Sequence, residues 1–224
     1  VIDFLLRLRE RSNVVNLMGN HEILMMEARG SLKAMERWMG GGVGGRETLQ
    51  SYGGKDLGSV PEAHWEFIEG ALPFHETDTH FFVHANAASN VALEDQDPFM
   101  LFWEKFRRVP PHRNGKVMVC GHTAQKSGDP ANLGHAICID TWAFGGQWLT
   151  ALDAGSGNYW QCNEEGMRRG VMPPVSATYS DRLTMGEIAP AGTTAEDWAR
   201  IVRDAYVWMD YTSIPQRHAM DHSG

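Results

Sequence analysis

An α/β fold is predicted by three short apolar runs, by the helical periodicity of the segments between them, and by the polar residues that end each run. The runs are Val14 to Met18, Phe81 to Val83 and Val117 to Cys120, too short for helices and rich in β-branched and aromatic residues. The first continues as Gly19-Asn20-His21-Glu22, the second as His84-Ala85, and the third as Gly121-His122-Thr123. Side chains with nitrogen or oxygen lone pairs beside a small residue are therefore expected at three strand ends. In an α/β sheet, that edge is where ligands bind.

The elements are justified in order along the chain. Val1 to Arg11 places Ile2, Phe4, Leu5 and Leu8 at helical spacing with Arg7, Arg9 and Arg11 on the other face, predicting an amphipathic helix packed on a sheet. A helical pattern is already running at Val1 without a cap, so the chain reads as the remainder of a longer one. After the first strand, Gly19 is expected to let the backbone turn sharply. Ile23 to Trp38 has a helix-favouring composition interrupted only by Gly30. Gly40 to Gly45 holds five glycines around Val43 but lacks the lysine-serine ending of a phosphate-cradling loop, and is expected to be a mobile connection. The stretch GGRETLQSYGG reads as a short helix closed by glycines, and Pro61 to Ala71 as another.

Strand THFFVHANA leads to His84, Pro98 to Phe106 is an aromatic-rich helix or turn, and Arg107 to Lys116 is a basic connecting loop. Beyond VMVCG, the runs HAICIDT, QWLTALD and NYWQC suit three antiparallel strands joined by hairpins. The pattern fades near Gly166, which divides the chain into a domain over residues 1–165 and an extension over 166–224. In the extension, Pro173 and Pro174 mark a linker and Thr194 to Tyr211 predicts one more helix.

Composition narrows the functions. With 224 residues and 42% hydrophobic content the chain can bury a real core. A formal charge of -8 argues against nucleic acid or an anionic membrane surface as the main partner, since both need a basic footprint. No stretch reaches the roughly 20 apolar residues of a membrane span. Cys120, Cys138 and Cys162 show no C-x-x-C spacing and are expected to be reduced thiols of a cytoplasmic protein. Without clustered thiols, an amide oxygen and imidazoles suit Mn, Fe or Zn.

The GNHE, VHA and GHT boxes, in this order and at these separations, resemble the calcineurin-like metallophosphoesterase superfamily. The flanks VIDFLLRL, ETLQSYGG, LPFHETDTHFFVHAN, FWEKF and NLGHAICIDTWAFGGQWLTALD are similar to bacterial PPP-type serine/threonine protein phosphatases of the lambda-phosphatase-like group, over about residues 1 to 162. The resemblance implies two mixed sheets sandwiched between helices, a four-layer α/β/β/α arrangement lacking its first strands and helix. It also implies two divalent ions, with Mn favoured, that clamp a phosphate and polarise a bridging water for in-line attack. Asn20, His84 and His122 would hold the second ion, His21 would protonate the leaving alkoxide, and Lys105 would touch substrate. Glu22 completes the box without a derived role. The boxes G-D-x-H and G-D-x-x-D-R-G, which supply the first ion's ligands in that family, occur nowhere in the 224 residues. Met18 and Lys105 stand where arginines are common there, and lysine keeps the charge but loses the bidentate fork.

Phosphorylated proteins are the substrate this implies, for a full-length parent, the 224 residues alone being nearly inactive. A symmetrical dinucleoside-tetraphosphatase, another small-molecule phosphatase, or a non-catalytic interaction module are the alternatives. Packing or surface roles are expected for His64, His75, His80, His112, His135, His218 and His222, and a turn-forming role for Asp140.

Overall fold

The computed structural model describes residues 1–40, 42–54 and 56–171. The expected linker at Pro173 and Pro174, the helix over Thr194 to Tyr211, His218 and His222 lie outside the described residues.

The first elements of the described chain are the helices α1 (Ile2–Arg9), α2 (Asn20–Gly30), α3 (Leu32–Trp38), α4 (Gly45–Ser51) and α5 (Glu62–Glu69). The expected helix from Ile23 to Trp38 starts three residues earlier and is two helices. Ser31 leaves the helical region at φ -153° and ψ 129°, and its hydroxyl accepts from the Ala34 N–H, so it ends α2 and caps α3. Serine satisfies an orphan N–H at a helix start, and Gly30 before it adds little to helix propagation.

The apolar faces of these helices meet one another. Ile2, Leu24, Met25, Trp38, Leu49, Trp65, Phe67 and Ile68 form one buried cluster. Helix α1 therefore packs into a helical core against α5, where the sequence suggested a sheet. The His64 Nε2–H donates to Asp3 Oδ1 at 2.8 Å, tying α5 to α1. That bond holds the exposed Asp3 carboxyl below its ordinary value of 3.8. A depressed carboxyl contributes stability that is present above the unfolded value and lost as pH falls through the folded one. Asp3→Asn is accordingly expected to lose less stability than the wild type on acidification below 3.8, as read by thermal melts across that range.

The expected first strand is corrected: residues 14–18 make one bridge, Leu17 to Leu72, with Met18 N–H donating to Leu72 O and Leu72 N–H to Asn16 O, both at 2.8 Å. A ladder needs partners along its length; among the described residues this run has one, and it serves as the lead into α2.

Five strands come next in one sheet: β1 (Phe74–Glu76), β2 (His80–Val83), β3 (Val117–Cys120), β4 (Ala131–Asn132) and β5 (Ala136–Cys138), in the order β1-β2-β3-β5-β4. Strands β2, β3 and β5 are parallel, with β1 and β4 antiparallel at the edges. Strand β2 is entered through a hairpin from β1. Between β2 and β3 lies α6 (Pro98–Phe102), started by the Asp97 carboxylate accepting from the Phe99 N–H.

A second sheet holds β6 (Leu149–Leu152), β7 (Tyr159–Cys162) and β8 (Arg168–Val171), all antiparallel. HAICIDT thus parts from the two runs it was expected to join: it forms β5, paired parallel to β3 with Cys138 opposite Cys120. Every residue of β5 is buried, as in a central parallel strand, and a continuous apolar run cannot by itself say which sheet covers it. The second sheet is antiparallel where a mixed one was expected, and β8 continues it past residue 165.

Alternation along the strands sends side chains to two covered faces. Phe81, Val83, Met118 and Cys120 pack with Leu93, Leu101 and Val109 on one face. Phe82, Val119, Ile137 and Ile139 pack with Leu152 and Ala154 on the other, so β6 shares a core with the first sheet. No described helix is long and apolar enough to cross a membrane.

Candidate functional site

Because β2, β3 and β5 are parallel, their carboxyl ends share one edge, and the chain beyond each leaves from it. His84 comes directly after β2 and His122 two residues beyond β3, linked by Gly121 N–H donating to His84 O at 2.9 Å. Asn20 arrives from a different direction, as the first residue of α2. Three segments distant in sequence therefore meet: His84 Nε2 lies 2.8 Å from Asn20 Oδ1 and 3.2 Å from His122 Nδ1. Asn20 and His84 are buried at 6% and 3% exposure, so this is an enclosed polar cluster.

His122 adopts φ +61°, the left-handed region that side chains with a Cβ enter at a cost of about 1–3 kcal/mol. Its surroundings hold it there. Trp103 O lies 3.1 Å from His122 Nε2, and Lys105 Nζ donates to His122 O at 3.1 Å. A carbonyl only accepts, so in the neutral ring Nε2 carries the proton and Nδ1 turns a lone pair towards His84. Such an outer partner fixes the ring of a ligating histidine.

Gly19 has a different job from the expected one. Its φ of -112° is ordinary extended backbone, so no sharp glycine-only turn occurs. What it supplies is space: a Cβ there would collide with Glu22 Oε2 and stand only 2.9 Å from His84 Nδ1.

The two separations from His84 Nε2 are compatible with a shared divalent ion. Two donors each about 2.1 Å from an ion and about 90° apart are about 3.0 Å from one another, a value that falls between the two separations seen here. Amide oxygen with neutral imidazole suits a borderline or hard cation. Among the described residues no three His, Cys, Asp or Glu side chains gather around one point, and the cluster here consists of two imidazoles and an amide.

Lys105 stands beside the cluster through its bond to His122 O, with its own carbonyl accepting from Asn86 Nδ2 at 3.1 Å. One residue along α2 from Asn20, His21 bonds Val43 O through Nδ1 at 2.9 Å, at the glycine-rich loop. Asp140 Oδ1 accepts from the Trp142 N–H two residues on, the turn expected of it. His64 pairs with Asp3, His112 with Val91 O and His135 with Val109 O, all structural contacts. Sequence reasoning missed Trp103, whose part is played by a backbone carbonyl and leaves no side-chain signal, and the crowding at Gly19.

No protein-family model matches the chain. No curated protein matches it at a significant level.

Proposed function

We propose that this protein hydrolyses phosphate monoesters with the help of divalent cations, and that phosphoserine and phosphothreonine on proteins are its substrates. The convergence of Asn20 Oδ1, His84 Nε2 and His122 Nδ1, at separations of 2.8 and 3.2 Å, carries the reading. Resemblance of the three boxes to metallophosphoesterases supports it, as does the α/β frame that brings two strand ends and a helix start together, and the finer four-layer sandwich is proposed with it. Bound cations supply Lewis-acid polarisation of the phosphoryl group and of the attacking water.

The chain's own residues have separate parts. Asn20, His84 and His122 would hold one Mn²⁺ ion; Fe or Zn would suit the same donors. His21 delivers a proton to the departing alkoxide. The Lys105 ammonium, anchored at the His122 carbonyl, attracts the phosphate. Within the 224 residues no ligand set for a second ion is legible, so calorimetry on this chain is expected to find one Mn²⁺ site, and two tight sites would overturn that assignment.

Expressed in its full reading frame and assayed with Mn²⁺, the protein is expected to release phosphate from a phosphoserine peptide faster than it cleaves diadenosine tetraphosphate. The reverse order would assign it to small molecules. No turnover of either, with no Mn²⁺ bound, would leave a non-catalytic interaction module.

A further inference from the structure

Glu22 lies in the first turn of α2, where an acidic side chain favours the positive end of the helix. A Cβ on Gly19 would stand 2.4 Å from Glu22 Oε2 and 2.9 Å from His84 Nδ1, so both atoms lie beside the one spot that a side chain there would fill. The nitrogen of His84 that faces away from Asn20 and His122 therefore shares one small space with a carboxylate oxygen. That space exists because residue 19 has no side chain.

We infer that Glu22 is a positioning residue for His84: its carboxylate accepts the Nδ1–H and so keeps the lone pair on Nε2, the atom turned towards Asn20 Oδ1 and His122 Nδ1. The inference rests on the reading of those three side chains as a cation site. An imidazole has one proton to place on two nitrogens when neutral. Left alone, His84 would gain by protonating Nε2, because that nitrogen faces an amide oxygen at 2.8 Å and a lone pair of His122 at 3.2 Å. Protonated there, it could not bind a cation. A carboxylate on the far nitrogen reverses the preference and raises the ring's basicity as a ligand. His122 has the same device in weaker form, with Trp103 O on its far nitrogen. The two rings are thereby turned to present lone pairs to one point, one by a charge and one by a peptide dipole. Gly19, Glu22 and His84 act as a unit, in which the glycine leaves room for the inferred Nδ1–H to carboxylate bond.

The competing role for Glu22 is capping, since a glutamate three residues after the helix N-cap can reach back to the N-cap backbone. Only the orienting role moves the proton on His84. The test compares wild type, Glu22→Ala and Glu22→Gln by ¹⁵N NMR of the histidine side chains in cation-free protein, by Mn²⁺ titration, and by thermal unfolding. In wild type, His84 Nδ1 is expected to give a protonated-type signal. In Glu22→Ala, it is expected to become unprotonated-type, with Mn²⁺ affinity lowered about 10- to 100-fold. Glu22→Gln, which keeps an accepting oxygen without the charge, is expected to fall between and serves alone should the alanine variant not fold.

A lower melting temperature with His84 and Mn²⁺ affinity unchanged would overturn the proposal in favour of capping. If wild type binds no Mn²⁺ while the His84 proton still moves in the variants, the orienting role stands and the cation reading falls.

Discussion

His84→Ala is expected to weaken Mn²⁺ binding by more than about 100-fold while leaving the protein folded. Loss of a mere outer partner of a metal ligand costs about 10- to 100-fold in affinity, and His84 is the member of the cluster that touches both others. Removing it takes one of three donors and releases the remaining two. Asn20 is delivered by α2 and His122 is held from behind by Trp103 O, and His84 Nε2 lies against both. The effect on the fold is smaller. Removing an imidazole at 3% exposure leaves a void and takes away a buried hydrogen-bonding group, worth about 1–3 kcal/mol. Calorimetric titration with Mn²⁺ alongside a thermal melt separates these effects. A variant that melts nearly as wild type and binds Mn²⁺ as tightly would remove His84 from the cation site.

The second large effect is expected from His21→Ala in the full reading frame: a fall in turnover of about 10² to 10⁴ on a phosphoserine peptide with Mn²⁺ content unchanged. His21 does not join the Asn20, His84 and His122 cluster. Its Nδ1–H donates to Val43 O at 2.9 Å, which fixes the ring and leaves Nε2 as the nitrogen that can carry a transferable proton. An alkoxide leaving group needs that proton, whereas a nitrophenolate is stable without it. The variant should therefore retain much more of its activity on nitrophenyl phosphate than on phosphoserine. Equal losses on both substrates would mark a structural role at the glycine-rich loop, and no loss on either would end the proton-donor assignment.

How much of this is legible in the sequence differs from element to element. The runs Phe81 to Val83 and Val117 to Cys120 stand out because both faces of these strands are covered, leaving no polar residue to break the pattern. The helices after Gly45 and Pro61 are equally plain from composition and punctuation. Val14 to Met18 is apolar apart from Asn16, yet makes a single bridge among the described residues, because strand formation depends on a neighbour that the run itself does not encode. The break at Ser31 is hidden by good helix formers on either side of it, and the side chain that caps α3 could equally have pointed to solvent.

Residue types and their order determined the chemistry on offer: one amide and two imidazoles, each close to a small residue, each at the end of a short apolar run or just past it. That much is local, since donor atoms and backbone freedom belong to single residues. Tertiary structure alone decided that Asn20, His84 and His122 meet while His21 turns to Val43, that β5 joins β3 instead of β6, and that Gly19 is there for room and not for a turn. These are matters of distance between segments 38 and 64 positions apart, set by which faces find apolar cover, and no run of neighbouring residues carries that information.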